Sequence, residues 1–356
     1  MREIIAKEVA KVKGRLHCGA VCSILKDMKY RTFGDSNTLV SEVSLGTWQI
    51  GGSWGEVSDD NALDILQIAA DNGVNFFDTA DVYGDGRSEE LIGRFLRTTG
   101  KNKEIFVATK LGRGYKPGWP DNFTMSAMRS HVEASLKRLG VPILDLIQLH
   151  CIPTEVMRKG EVFDNLRTLQ SEGKIRQFGA SVESMEEALI CLEQDGLASL
   201  QIIFNVFRQK PITELFSAAL DKKVALIVRL PLASGLLSGK MTKNTHFSES
   251  DHRNFNRDGQ AFNVGETFAG LPFDKGIELT DELKKMLPSG MTMPQMALRW
   301  ILDFDAVTTV IPGASRPEQV ISNTGASDLP PLSPELHAKL SKWYQDKVES
   351  HIRGKH

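Results

Sequence analysis

The chain has 356 residues, 41% hydrophobic and 25% charged, with a net charge of −2. Such a length can bury a sizeable core, and the near-neutral balance gives no electrostatic reason to expect nucleic acid or an anionic membrane as partner. Its four cysteines (Cys18, Cys22, Cys151, Cys191) form no CxxC pair, which argues against a disulfide scaffold or structural zinc site and fits a reducing cytoplasm.

In chain order, the first 27 residues run from basic positions (Lys7, Lys11, Lys13, Arg15) into a mildly apolar stretch from Leu16 to Leu25. Glu3, Glu8 and His17 spoil the outline of an export signal, and no small-x-small cleavage site follows. Residues 1–27 are therefore expected to be a poorly ordered extension, with Met28 an alternative first residue. Residues 28–356 are expected to form one domain. No stretch reaches the ~18 apolar residues that would span a bilayer. Residues 30–42 read as a hairpin turning near Gly34–Asp35–Ser36–Asn37 and capping a barrel floor.

From Val43 onward short apolar or β-branched runs alternate with longer stretches at helical spacing. The expected strands are 43–48, 74–79, 105–110, 144–150, 175–180, 200–205, 225–230 and 307–311. Their nearly continuous hydrophobicity suits strands covered on both faces. Amphipathic stretches at 60–72, 87–98, 125–139, 161–172 and 184–194 lie between them. In the first, Leu63, Leu66 and Ala70 share a face, with Ser58 or Asp59 available as N-cap. Eight alternations predict an α/β fold, a (β/α)8 TIM barrel. A doubly wound open sheet is disfavoured because no GxGxxG follows the first strand. Residues 239–279 are long, polar and dotted with Phe247, Phe255, Phe262 and Phe268. Coming after the seventh strand, they are placed on the C-terminal rim as a lid.

Chemistry collects at strand C-termini, where barrel enzymes build their sites. Asp78 closes the second strand and Tyr83 follows in FFDTADVYG (76–84); Lys110 ends the third strand and His150 the fourth. Each is carried to the rim by a mostly apolar run. Together they suit carbonyl reduction, which needs a proton as hydride arrives. A lysine ammonium at about 4 Å would stabilise a tyrosinate by roughly 4 kcal/mol at an effective dielectric near 20, about three pKa units. On that expectation Lys110 brings the Tyr83 phenol into working range, Asp78 keeps Lys110 charged, and His150 orients the carbonyl. A structural Asp–Lys pair, a core Tyr and a core His are the plain alternatives for each residue alone.

These four residues match, in type, order and strand context, the Asp-Tyr-Lys-His tetrad of the aldo-keto reductase superfamily, which the chain resembles over nearly all of 28–330. LGTWQIGG (45–52) and FFDTADVYG look like its opening signature; RLPLASGLLSGK (229–240) and IPGASRPEQVISN (311–323) resemble its two cofactor-binding stretches. The resemblance implies extended NADP(H) bound without a Rossmann fold, with NAD(H) second, and hydride transfer to an aldehyde or ketone. It implies contacts from Gly46, Thr47 and Trp48, and a nicotinamide carboxamide held by Ser181 and Gln201 near Asp78. Val182 stands where the family often has Asn. Arg229 occupies the position of an aromatic residue stacking on the ring; it either stacks or forms an ion pair. Pro231, Leu232, Ser234, Gly235, Leu237, Gly239 and Lys240 resemble the pyrophosphate clasp. Gly313, Ser315, Arg316, Gln319 and Asn323 resemble contacts to the adenosine 2′-phosphate and adenine.

For the substrate, Trp48, Trp54, Tyr83, Trp119 and His150 are expected to line a pocket for an apolar or mixed small-molecule carbonyl. A redox-sensing barrel that holds NADP(H) with little turnover, as the potassium-channel beta subunits of this superfamily suggest, is the second reading. A metal-dependent hydrolase is the third; only His150 of eight histidines ends an expected strand, so no metal is expected. Nothing demands more than a monomer or weak oligomer.

Overall fold

A computed structural model describes residues 28–356 except Ser53, Glu56 and Tyr115; the expectations for residues 1–27 lie outside the described part. All eight expected barrel strands are present. After a hairpin of β1 (Tyr30–Thr32) and β2 (Leu39–Ser41) come β3 (Leu45–Gly46), β4 (Phe76–Asp78), β5 (Phe106–Leu111), β6 (Leu144–His150), β7 (Ile175–Ser181), β8 (Leu197–Ile203), β9 (Ala225–Arg229) and β10 (Val307–Val310). Neighbours pair in parallel from β3 to β10. Parallel bridges Val43↔Val310 and Gly46↔Gly313 join the two ends, so the sheet closes into a (β/α)8 barrel. At that seam a Cβ on Gly46 would lie 2.7 Å from the Ile311 carbonyl oxygen. Only glycine lets the two backbones meet.

The strand bounds differ mainly where chemistry intrudes. The first run, expected over 43–48, is a strand only at 45–46, because Trp48–Gly51 turns into a short helix. The sixth begins at Leu197 rather than at 200. The helix Asp59–Asp71 starts at an N-cap where Ser58 accepts from the Asn61 amide. Its buried face is Ala62, Ile65, Leu66 and Ala69, one position round from the expected Leu63–Leu66–Ala70 stripe. The apolar run is wide enough to permit either rotation, and packing on the barrel chooses.

The hairpin seals the barrel floor as expected. Its register sets Tyr30 opposite Ser41. Phe33, fully buried, packs on Phe76 and Phe106 at ring distances of 5.9 and 5.2 Å. With the floor filled by aromatic rings, the open mouth lies at the opposite end, where the strand C-termini converge. No helix among the described residues is long and apolar enough to cross a membrane. Cys151 and Cys191 are both buried free thiols.

Candidate active site

The mouth holds one deep cavity, and the four titratable residues singled out from sequence meet in or beside it. Asp78, Tyr83 and His150 line it, and Lys110 stands directly behind them, fully buried. Lys110 Nζ donates to Asp78 Oδ2 at 2.6 Å and to the Thr79 carbonyl at 2.8 Å, and lies 3.4 Å from Tyr83 Oη. Asp78 Oδ1 accepts from Gln201 Nε2 at 2.7 Å and Gln148 Nε2 at 3.2 Å. A buried carboxylate thus has a cation on one oxygen and two amides on the other, which keeps the pair affordable in a low dielectric. The Tyr83 ring stacks on Trp48 at 5.9 Å, and the His150 ring meets it edge-on at 5.8 Å.

Local backbone features aim these groups. Tyr83 sits on a turn followed by Gly84 (φ +65°), where a Cβ would come 2.1 Å from the Gly51 carbonyl oxygen. A Gly84→Ala substitution should therefore push the Tyr83 turn off the Trp48–Gly51 helix. Because displacement by about 1 Å can cost about 10²-fold in rate, a marked fall in kcat/KM is expected in steady-state assays; unchanged turnover would show that Tyr83's position tolerates the shift. His150 ends β6 just before Cys151, a non-glycine residue at φ +50° whose amide is held by the Ser181 carbonyl at 3.0 Å. Such strain at a strand end is typical of residues positioned for function.

The electrostatics correct one expectation. Lys110 does favour the Tyr83 phenolate, but burial opposes it more strongly and the Asp78 charge adds to burial, so the phenol lies above its usual value. Burial is the larger cause, and the Asp78 charge offsets part of the ammonium's pull. Tyr83 is a protonated acid at neutral pH rather than a half-ionised one. Burial would discharge Lys110, but Asp78 and Tyr83 together raise it, so it stays an ammonium. His150 is driven well below the usual imidazole value by burial, then by the charges of Arg113, Lys110 and Arg229. It is neutral, and its buried Nδ1 has no partner among the described residues.

The cavity wall also gathers most of the stretches expected to hold cofactor. Gly46, Thr47 and Trp48 come from the first loop, Ser181 and Gln201 from β7 and β8, and Arg229, Pro231, Leu232, Ser234 and Gly235 from the loop after β9. Gly313, Ser315 and Gln319 close it from the loop after β10. Leu230, Ala233 and Ser234 all have positive φ near 50°, and Gly235 follows at +96°. Left-handed backbone in such density curls a loop into the kind of concavity where amides receive anions. The residues present therefore fit an extended dinucleotide: small residues at the wall, the polar side chains of Ser181 and Gln201 from β7 and β8 deep within it, and an exposed Arg316 just beyond the loop after β10.

Several of the expected residues do not line the cavity itself. Leu237 is fully buried in the hydrophobic core, and Gly239, Lys240, Arg316 and Asn323 stand outside the cavity wall. Ser234 lines the cavity, but its hydroxyl donates to the Glu266 carbonyl and accepts from the Phe268 amide, bracketing the lid. Trp119 is not in the pocket: it is half exposed, its indole N–H bonds the Gly112 carbonyl, and its ring rests on Phe123. A tryptophan in a Gly/Pro loop gives no signal of which way it faces.

Arg229 forms the ion pair, at 3.3 Å to Glu266 Oε1, and Nη2 donates to the Val182 carbonyl. Residues not singled out from sequence complete the wall: Gln49, Arg113, Arg253 and Glu266. Arg253 and Glu266 belong to the 239–279 segment, which does fold over the rim. His252 packs on Trp48 and Trp54 at 4.7 and 4.3 Å, and Arg253 stacks on Trp54 while pairing with Asp251. Arg113 lies two residues past the end of β5, a strand-end signal that its flanking glycines obscured. Arg113 and Arg229 overcome the burial of Glu266 and hold it at about 2. Cys151, Glu183 and Glu266 bring ligand atoms within 4.8 Å of one another. The Arg229 guanidinium already contacts the thiol and Glu266 there, filling the place of a cation.

The structure is thus a closed barrel with a cluster of ionisable strand-end residues at its C-terminal mouth, the place where barrel enzymes build their sites. The chain belongs to the Aldo/keto reductase family, whose profile matches residues 42–345. It is 30% identical over 297 residues to aldo-keto reductase YhdN of Bacillus subtilis, covering 82% of this chain and 87% of that protein. It is 31% identical to a probable voltage-gated potassium channel subunit beta of Arabidopsis thaliana, over 92% and 98% of the two chains. Among solved structures, the glycerol dehydrogenase AKR11B4 from Gluconobacter oxydans superposes with a TM-score of 0.71 at 31% identity, covering 91% and 96%. Relatives named for NADP(+) and for NADH both match.

Proposed function

We propose that this protein is an NADP(H)-dependent carbonyl reductase in which Tyr83 is the general acid, supported by Lys110, Asp78 and His150. The observation that carries this reading is the placement of Tyr83 Oη 3.4 Å from a buried ammonium that Asp78 holds charged, at the wall of the cavity. A bound nicotinamide supplies hydride to the carbonyl carbon. As the C=O π bond breaks, Tyr83 gives its hydroxyl proton to the oxygen and an alcohol forms. Lys110 stabilises the phenolate left behind, and neutral His150 donates a hydrogen bond that fixes the carbonyl oxygen. Ser181 and Gln201 hold the carboxamide, the curled 230–235 loop receives the pyrophosphate, and the loop after β10 receives the adenosine.

For the preference between cofactors the weight rests on Arg316. It is exposed, has no ion pair among the described residues, and starts the helix Pro317–Thr324, whose N-terminus favours an anion. Gln319 Oε1 accepts from the Ser315 and Arg316 amides, holding this turn in shape. Arg316→Ser should weaken NADPH binding by about tenfold or more, the loss of one charge-assisted phosphate bond, with NADH little changed. Fluorescence titration with both cofactors checks it; equal losses would remove Arg316 from the 2′-phosphate site. The reading as a whole is tested by a cofactor titration followed by a carbonyl screen. Stopped-flow oxidation of bound NADPH by aldehydes separates a working reductase from a protein that only holds the cofactor.

A further inference from the structure

The substrate end of the cavity is not the apolar wall expected from its tryptophans. Beside Tyr83 and His150 stand Arg113 and Arg229, which share one carboxylate, Glu266. Arg113 reaches Glu266 through Nη1 alone, at 3.2 Å to both oxygens. Its Nε and Nη2 have no hydrogen bond or ion pair among the described residues, although its side chain is only 23% exposed. Its guanidinium is braced from the other side by the Phe262 ring at 5.1 Å. It is therefore a rigidly held fork with one edge occupied and the other edge open.

Charge balance around the fork is positive. Lys110 is matched by Asp78, and Arg253 by Asp251. Arg113 and Arg229 face Glu266 on the wall, while behind it burial and the Glu266 charge push Glu183 up to about 7. On the cavity wall itself two guanidinium groups, Arg113 and Arg229, share the single carboxylate of Glu266, so positive charge is in excess there. An open guanidinium edge in a region of cation excess favours a planar or tetrahedral oxyanion.

Resting on the reductase reading above, we infer that the carbonyl substrate carries an anionic group, a carboxylate or a phosphate monoester, and that Arg113 binds it and so sets substrate specificity. The chemistry of reduction is unchanged: hydride goes to the carbonyl carbon and the Tyr83 proton to its oxygen, while the anionic group stays intact. Arg113 acts on binding and orientation. Trp48 and Trp54 then cover the short carbon chain between the two ends. Removing the guanidinium leaves Glu266 paired with Arg229, so the fold is expected to survive.

The experiment compares two matched pairs with NADPH as reductant: 4-oxobutanoate against 4-oxobutanamide, and glyceraldehyde 3-phosphate against glyceraldehyde. In the unmodified enzyme, kcat/KM for at least one anionic member should exceed that of its neutral partner by about tenfold or more, and which pair shows it tells carboxylate from phosphate. Arg113→Met should erase that preference, mainly through KM, lowering kcat/KM for the anionic member by about tenfold or more beyond any change for its neutral partner, which makes no ion pair to lose. Arg113→Lys, which keeps the charge but not the fork, should restore part of it. Equal preference for charged and neutral members, or an Arg113→Met loss shared by both, would overturn the inference while leaving the reductase standing. If no carbonyl in the set or among simple aldehydes oxidises NADPH, the reductase reading falls and takes this one with it.

Discussion

Replacing Tyr83 with Phe is expected to lower carbonyl reduction by about 10²–10⁴-fold, the usual worth of a positioned acid, while NADPH binding stays within a few-fold. The substitution deletes one oxygen whose only hydrogen-bonding neighbour among the described residues is Lys110 at 3.4 Å, and it keeps the ring on Trp48. Neither the Lys110–Asp78 pair nor the cavity shape depends on that hydroxyl. A single-turnover assay with fluorescence-measured cofactor affinity separates the two effects, and wild-type turnover in this variant would falsify the acid assignment. The unmodified enzyme has a pH signature as well. Burial holds the phenol above its usual value near 10. Reduction, which uses the protonated form, should hold through pH 9 and decline only in stronger alkali. Alcohol oxidation, which needs the phenolate, should rise across the same range. His150 is neutral well below its ordinary range, so its titration should add no inflection near pH 6.5.

Lys110→Met is expected to damage both stability and catalysis. It strands Asp78, 2% exposed, with two amide donors and no cation. Breaking one side of a buried ion pair costs about 3–5 kcal/mol, which for a chain of this size lowers Tm by roughly 5–10 °C. Catalysis should fall at least as far as in the Tyr83 variant, because the phenolate formed on proton transfer loses its counter-charge. With the ammonium gone, burial and Asp78 act on Tyr83 unopposed. Its pKa rises further, and the alkaline limb of the reduction profile moves to higher pH. The double variant Lys110→Met with Asp78→Asn removes the stranded charge and should recover stability without recovering activity. Recovery of both would make the pair purely structural.

Much of the architecture was legible before any coordinates. The helices expected at 87–98 and 125–139 occur at Arg87–Thr99 and Met125–Leu139, because Gly100 and Gly140 stop them and their apolar faces are unambiguous. Asp78, Lys110 and His150 could be located because each ends an apolar run, and a barrel delivers every strand end to one mouth. The wall residues Arg113, Arg253 and Glu266 were not legible. Arg113 stands in a loop, and Arg253 and Glu266 in single-turn helices of the lid (His252–Phe255 and Val264–Glu266), too short for a period of 3.6 to mark the direction of a side chain. Trp119 was misplaced for the same reason: its loop turns the indole toward Gly112 and Phe123.

The net field at Tyr83 belongs to the tertiary structure as well. Residue types alone announced a lysine near a phenol; only packing revealed that Asp78 approaches the ammonium to 2.6 Å, nearer than the phenol does at 3.4 Å, and that the ion pair is buried while the phenol faces the cavity. Periodicity and strand ends are short-range properties of a chain, so the order of residues determined the barrel and which ionisable groups reach its mouth. Ion pairing, desolvation and the character of the pocket depend on distances between segments as remote as Arg113 and Glu266. Those distances exist only once the lid has folded across the rim, and that is where the polarity of the substrate site was decided.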